Sequence, residues 1–260
     1  VQVGEVGSAG IAAAVSRGEP LELFWILDDI GDAEALVARK GSGIAKVADL
    51  KGKRIAMPFN STTHFHTMVA LDQAKINPAD VKILNMRPPE VRAAWQRGDI
   101  DATFIWDPVL AEAKKDGAVV ITSGQITAAT GKATFDGYVA NKDWAKANRD
   151  FMIKFVKVMA DADAKYRDGG KNWKADGAEV KAIAKWSGSK PEDVPAAIAL
   201  YKFPSAKEQA TRWLGGGKAA IAAKALAATA EFQLSQKQIE KTLSDYSAVV
   251  NASYAAEVAK

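Results

Sequence analysis

Three consecutive hydroxyl residues, Ser61-Thr62-Thr63, follow Pro58-Phe59-Asn60 and open a stretch with helical spacing. The first N–H groups of a helix have no partner inside it, and its dipole makes that end positive. Hydroxyls beside such N–H groups form a compact seat for a tetrahedral anion. A second strand-to-helix turn, Gly4-Glu5-Val6-Gly7-Ser8-Ala9, has the same ingredients, with glycines that let a ligand approach the backbone. Each turn also reads as an ordinary capped helix start, for which one Ser or Thr suffices. Three hydroxyls in a row exceed that need, and two helix starts could grip one anion. Glu34 and Asp136 fall where the chain passes into and out of a central segment, and Asp136 stands between Phe135 and Tyr138. A carboxylate there could pair with a ligand cation, because a buried acid needs a partner or must stay protonated. Trp106 ends a strand-like run, at the strand end where open α/β sheets bind ligands.

Other chemistries lack their residues. There is no cysteine, so disulfides, thiolate metal sites and a cysteine nucleophile are excluded. The two histidines, His64 and His66, are two apart on a helix and point to different sides, so they do not share a metal. The acids Asp99 and Asp101 lack the other ligands of a calcium loop. Gly215-Gly216-Gly217-Lys218 lacks phosphate-loop spacing, and no GxSxG elbow is present. No metal, cofactor or catalytic residue is therefore expected.

The elements around these residues follow from periodicity. Strands are expected at the N-terminus, at Leu21 to Leu27 and at Ala35 to Ala38. Ser8 is expected to cap a helix ending at Ser16. An alternating series follows: strand 54–58, helix 61–74, strand 81–86, helix 89–97, strand 102–106, helix 109–115 and strand 119–122. That order predicts a mostly parallel sheet with helices on both faces. The pattern changes at residues 127–134, rich in Gly, Thr and Ala; Phe135 to Asn141 reads as one more strand, and nearly everything from Asn148 onward as helix. Two crossings of the chain divide it into lobe 1, residues 1–38 and 129–260, and lobe 2, residues 39–128. The alternation at Val1 runs into a helix start without a lead-in, so a preceding portion carrying an export signal is expected.

The 260 residues, 48% hydrophobic and 25% charged, are ordinary for a folded globular chain. A net charge of +4, dispersed along the chain, does not make the basic stripe of a nucleic-acid binder. No apolar run is long enough to cross a bilayer.

Several motifs together resemble one family. Glu34-Ala35-Leu36-Val37, Pro58-Phe59-Asn60-Ser61-Thr62-Thr63-His64, Pro88-Pro89 and Ala94-Trp95-Gln96-Arg97-Gly98-Asp99-Ile100-Asp101 with Trp106 are similar to the taurine-, sulfonate- and nitrate-binding periplasmic proteins of ABC importers. The resemblance is dense from Val1 to about Tyr138 and looser beyond. It implies an α/β, two-lobed periplasmic-binding-protein type II fold with a hinge and a ligand cleft between lobes. It also implies a monomer in the periplasm that hands taurine, or a close amino-sulfonate, to an inner-membrane permease. Carried over by position, Gly7, Ser8 and Ala9 with Asn60, Ser61, Thr62 and Thr63 would hold the sulfonate. Trp106 would wall the pocket, and Glu34 and Asp136 would receive the ammonium. Glu5 departs from the family pattern as an extra acid. The alternatives are a binder of another alkanesulfonate or small anion, a pyrimidine-synthesising enzyme on the same scaffold using His64, or an effector-sensing domain of a regulator.

Overall fold

A computed structural model describes residues 1–260 as two compact units. The first comprises Val1–Asp29, Thr134–Lys171 and Lys202–Lys260, and the second Ile30–Ala133 and Asn172–Tyr201. The chain thus passes between units four times, where the sequence suggested two, and the boundaries fall at other residues than 38 and 128.

The first unit is built on a three-stranded antiparallel sheet, in the order β1 (Val3–Gly7), β8 (Phe135–Asn141), β2 (Leu21–Asp29). Helix α1 (Ser8–Ser16) leaves β1 without a loop. Its run of alanines with Ile11 and Val15 is buried almost all round, so it needs cover from two sides. It packs on the sheet and on α11 (Ile221–Ser235). Gly10 permits that approach, since a Cβ there would stand 2.7 Å from Val6 Cγ1. The remaining helices of this unit are α6 (Lys142–Ala147), α7 (Arg149–Gly169), α10 (Ala206–Glu208) and α12 (Ser253–Val258). Phe24, Trp25 and Phe135 are fully buried at its centre. The bulge in β2 is completed by Gln209, whose side chain accepts from Ile26 N at 2.9 Å and donates to Ile26 O at 2.7 Å.

The second unit holds a five-stranded sheet in the order β5 (Lys82–Asn85), β4 (Arg54–Met57), β6 (Ala102–Trp106), β3 (Glu34–Arg39), β7 (Gly117–Thr122). Around it lie α2 (Thr62–Gln73), α3 (Pro88–Arg97), α4 (Val109–Asp116) and α5 (Ser123–Thr130). Two corrections to the sequence reading concern this sheet. β4 is parallel to β5 and β6, but β3 runs antiparallel to both neighbours, so the sheet is mixed. β3 also belongs here and not with the first unit. Its residues Glu34 to Ala38 are all buried, and a strand covered on both faces and both edges must lie inside a sheet. The first half of the 127–134 segment closes α5, a helix the sequence reading did not mark. From the C-terminal part, α8 (Ala178–Ser187) and α9 (Val194–Ile198) join the second unit, where Val180, Ala184 and Val194 pack with Trp173 and Ile183. No helix is long and apolar enough to cross a membrane.

Candidate functional site

In the first unit, Gly7 is the N-cap of α1, and no side chain caps the helix start. Ser8 is not the cap that the sequence suggested. It is the first helical residue, fully buried, and its hydroxyl accepts from Phe135 N at 3.3 Å. The hydroxyl therefore ties α1 to β8, while the first-turn amides of Ser8 and Ala9 stay without a side-chain acceptor. Ala9 O accepts from the buried Gln233 amide at 2.9 Å, which fixes the start of α1 from α11.

The register of β1 on β8 sets Asp136 directly opposite Gly7 and Tyr138 opposite Glu5. Directly opposed residues share a sheet face. The carboxylates of Asp136 and Glu5 thus lie on one face, beside the uncapped start of α1. Burial pushes the Asp136 carboxyl up to about 7, and the neighbouring charge of Glu5 pushes in the same direction. Glu5 is exposed on its strand, and partial desolvation raises it.

Two further side chains of this unit were not singled out by sequence. Asp163 of α7 is buried, with one carboxylate oxygen lacking a hydrogen bond, and burial pushes it up to about 7. The indole N–H of buried Trp25 lies near enough to favour its charged form, yet falls outside hydrogen-bond geometry. A signal existed. Met152, Val156, Ala160 and Asp163 form the buried stripe of α7, and an acid on an apolar stripe needs a reason.

The second unit arranges its polar groups differently. Ser61 is the N-cap of α2 and accepts from His64 N at 3.2 Å. Its hydroxyl also donates to Pro58 O at 2.6 Å and lies 2.8 Å from Thr63 Oγ1. Thr62 donates to Glu34, and Ser123, at the start of α5, donates to the other Glu34 oxygen at 3.1 Å. Glu34 is buried, and Trp106 is paired with it across β3 and β6. Asn60 takes a left-handed backbone at φ 61, which asparagine tolerates. The sequence reading missed Ser123, although Thr122-Ser123 after β7 repeats the strand-then-hydroxyl pattern of Ser61.

Both histidines are packed among neighbouring side chains. The His64 ring stacks on Phe59 with centroids 4.5 Å apart, and burial lowers its pKa. His66 is fully buried, meets Lys132 O at 2.9 Å, and is held down to about 4, mainly by burial. No group of three His, Cys, Asp or Glu residues is placed to hold a metal ion.

The structure therefore gathers Glu5, Gly7, Ser8, Ala9 and Asp136 in one unit. It gathers Glu34, Asn60, Ser61, Thr62, Thr63 and Trp106 in the other.

Residues 1–166 match the family model described as NMT1/THI5 like. Over 254 residues the chain is 35% identical to the taurine-binding periplasmic protein of Escherichia coli (strain K12), spanning 98% of this chain and 77% of that one. The chain belongs to the NMT1/THI5 like family. Among solved structures, this family member is similar to the periplasmic aliphatic sulphonate binding protein SsuA from Escherichia coli, with TM-score 0.76 and 22% identity over 96% of this chain and 75% of that one. It is also similar to the desulfurization enzyme DSZB, with TM-score 0.68 and 14% identity over 99% of this chain and 84% of that one. At such identities the likeness shows the fold, an α/β chain of the periplasmic-binding type. A fold that carries both a binder and an enzyme leaves the activity to the site.

Proposed function

We propose that this chain is the solute-binding component of an ABC importer and captures taurine or a close ω-amino sulfonate. One observation carries the reading: Asp136 stands directly across the sheet from Gly7, the residue that begins α1. Uncapped helix amides attract an anion, and a carboxylate without a partner attracts a cation. A short zwitterion with a sulfonate at one end and an ammonium at the other satisfies both. A plain nitrate or alkanesulfonate leaves the acid unserved. Thus the amides of Ser8 and Ala9 take sulfonate oxygens, and Asp136 with Glu5 takes the ammonium. On the family resemblance, the first-turn amides of Thr62 and Thr63, beside Asn60 and Ser61, keep the sulfonate role, since the Thr62 hydroxyl is already donated to Glu34, and Trp106 keeps the role of an apolar wall. Glu34, already accepting from Thr62 and Ser123, aims the Thr62 hydroxyl and is the lesser ammonium acceptor. The 35% identity to a protein named for taurine binding supports the same reading.

In this reading the protein performs no covalent chemistry. It works as an exported monomer in the periplasm and delivers its ligand to an inner-membrane permease. Calorimetric titration of the folded protein with taurine tests it. Saturable binding, with ethanesulfonate at least about tenfold weaker, is expected from the loss of one charged pair. A flat titration at millimolar taurine overturns the reading.

A further inference from the structure

One carboxylate is enough to receive an ammonium, yet the first unit presents two. Glu5 opposes Tyr138 and Gly7 opposes Asp136, so Glu5 and Asp136 are diagonal neighbours on one face of the sheet. Gly7 places no side chain between them. No cation or hydrogen bond acts on either carboxylate: burial and the charge of Glu5 raise Asp136, whereas Glu5 itself is exposed on its strand and only partial desolvation raises it. The other ionisable groups facing the pair bring no positive charge. They are Tyr138 on β8, Asp28, which β2 sets opposite Asp136, and Asp163 from α7, whose charge reaches Tyr138. With Glu5 charged beside it, Asp136 ionises only at a cost in an empty site. An alkylammonium carries three donors and one charge, enough to serve both.

We propose that Glu5 is a specificity-determining residue: its charge, diagonal to Asp136 on the same sheet face, favours a proton on Asp136 when the site is empty, and that proton leaves to solvent as an alkylammonium takes its place beside both acids. The proposal rests on the taurine reading and deepens it. Glu5 then sets the preference for a cationic over a neutral headgroup, and ligand capture becomes coupled to proton release. The exchange falls near neutral pH, because Asp136 is pushed up to about 7.

Calorimetry of taurine into the full chain, in phosphate and in Tris at pH 7, reads the released proton from the difference in heats. About half a proton per taurine is expected, and affinity about tenfold higher at pH 8 than at pH 6. Ethanesulfonate, without the ammonium, should gain nothing over that range. Glu5→Gln should shift the pH dependence to lower pH and narrow the preference for taurine over ethanesulfonate severalfold. Equal affinity at both pH values, or proton release unchanged in Glu5→Gln, overturns the proposal. A carbon-13 titration of the Asp136 carboxyl in the ligand-free protein stands apart from taurine. A midpoint near 7 that falls in Glu5→Gln supports a proton held on Asp136 by Glu5 even if taurine does not bind. An ordinary carboxylate midpoint in both proteins overturns it.

Discussion

The two units carry similar polar residues and use them in opposite ways. In the second, the buried acid Glu34 accepts hydroxyls from Thr62 and Ser123, and Ser61 caps α2. These polar groups are matched by one another. In the first, α1 starts without a side-chain cap, and Glu5, Asp136 and Asp163 have no cation beside the sheet face except the distant influence of Arg167 on Asp163. These particular groups are left for something else. The contrast teaches that a buried acid and a hydroxyl-rich helix start are not in themselves a binding site. Their partners decide whether they stabilise the fold or wait for a ligand.

The strongest way to break this comparison is to exchange the roles of the two acids. Asp136→Asn should weaken taurine binding by about 2–4 kcal/mol while leaving ethanesulfonate nearly unchanged, since the variant removes one member of a charged pair. Equal losses for both ligands by calorimetry would remove Asp136 from the amine role. Glu34→Ala should instead lower stability by about 1–3 kcal/mol in denaturant unfolding, because it strands the Thr62 and Ser123 hydroxyls. A stable Glu34→Ala protein would show that Glu34 is not a structural acceptor.

The pH dependence sharpens the same contrast, with opposite signs. Asp163 has its folded-state pKa raised from 3.8 to about 7, so its contribution is intact below about pH 4 and is lost as pH rises through about 7. Asp163→Asn should therefore gain on the order of 1–3 kcal/mol at pH 8 and little at pH 4, read by urea unfolding at the two pH values. His66 in the second unit is lowered from 6.5 to about 4, so the stability it supports is present above 6.5 and lost as pH falls through about 4. His66→Gln should flatten that acid-side loss in thermal melts between pH 7 and pH 4. The smallest effect belongs to the caps. Ser61→Ala should cost about 1 kcal/mol, whereas Ser8→Ala should leave the helix start uncapped as before and chiefly loosen α1 from β8.

Much of this was legible in the sequence because it is local. The spacing of apolar residues marked most of the strands and helices of 54–122, and the hydroxyls of Ser61 to Thr63 marked a helix start. Asp136 stood out because it follows directly on the chain's return from the central segment, beside Phe135 and Tyr138. The direction of β3 was not legible: alternation tells a strand which faces it shows, and says nothing of its neighbours' sense. Nor was Ser8 legible as a buried tie to Phe135, since a cap and a first-turn residue have the same sequence neighbours.

The sequence by itself determined which residues could do chemistry and which elements carry them, because side-chain type and periodicity act over one turn or one strand. Only the tertiary structure decided which acids are answered. Thr62 and Ser123 reach Glu34 from 28 and 89 residues away in the chain, and Glu5 meets Asp136 through the pairing of the first strand with the last. Charge and hydrogen bonding act through space, and the distance along the chain does not enter them.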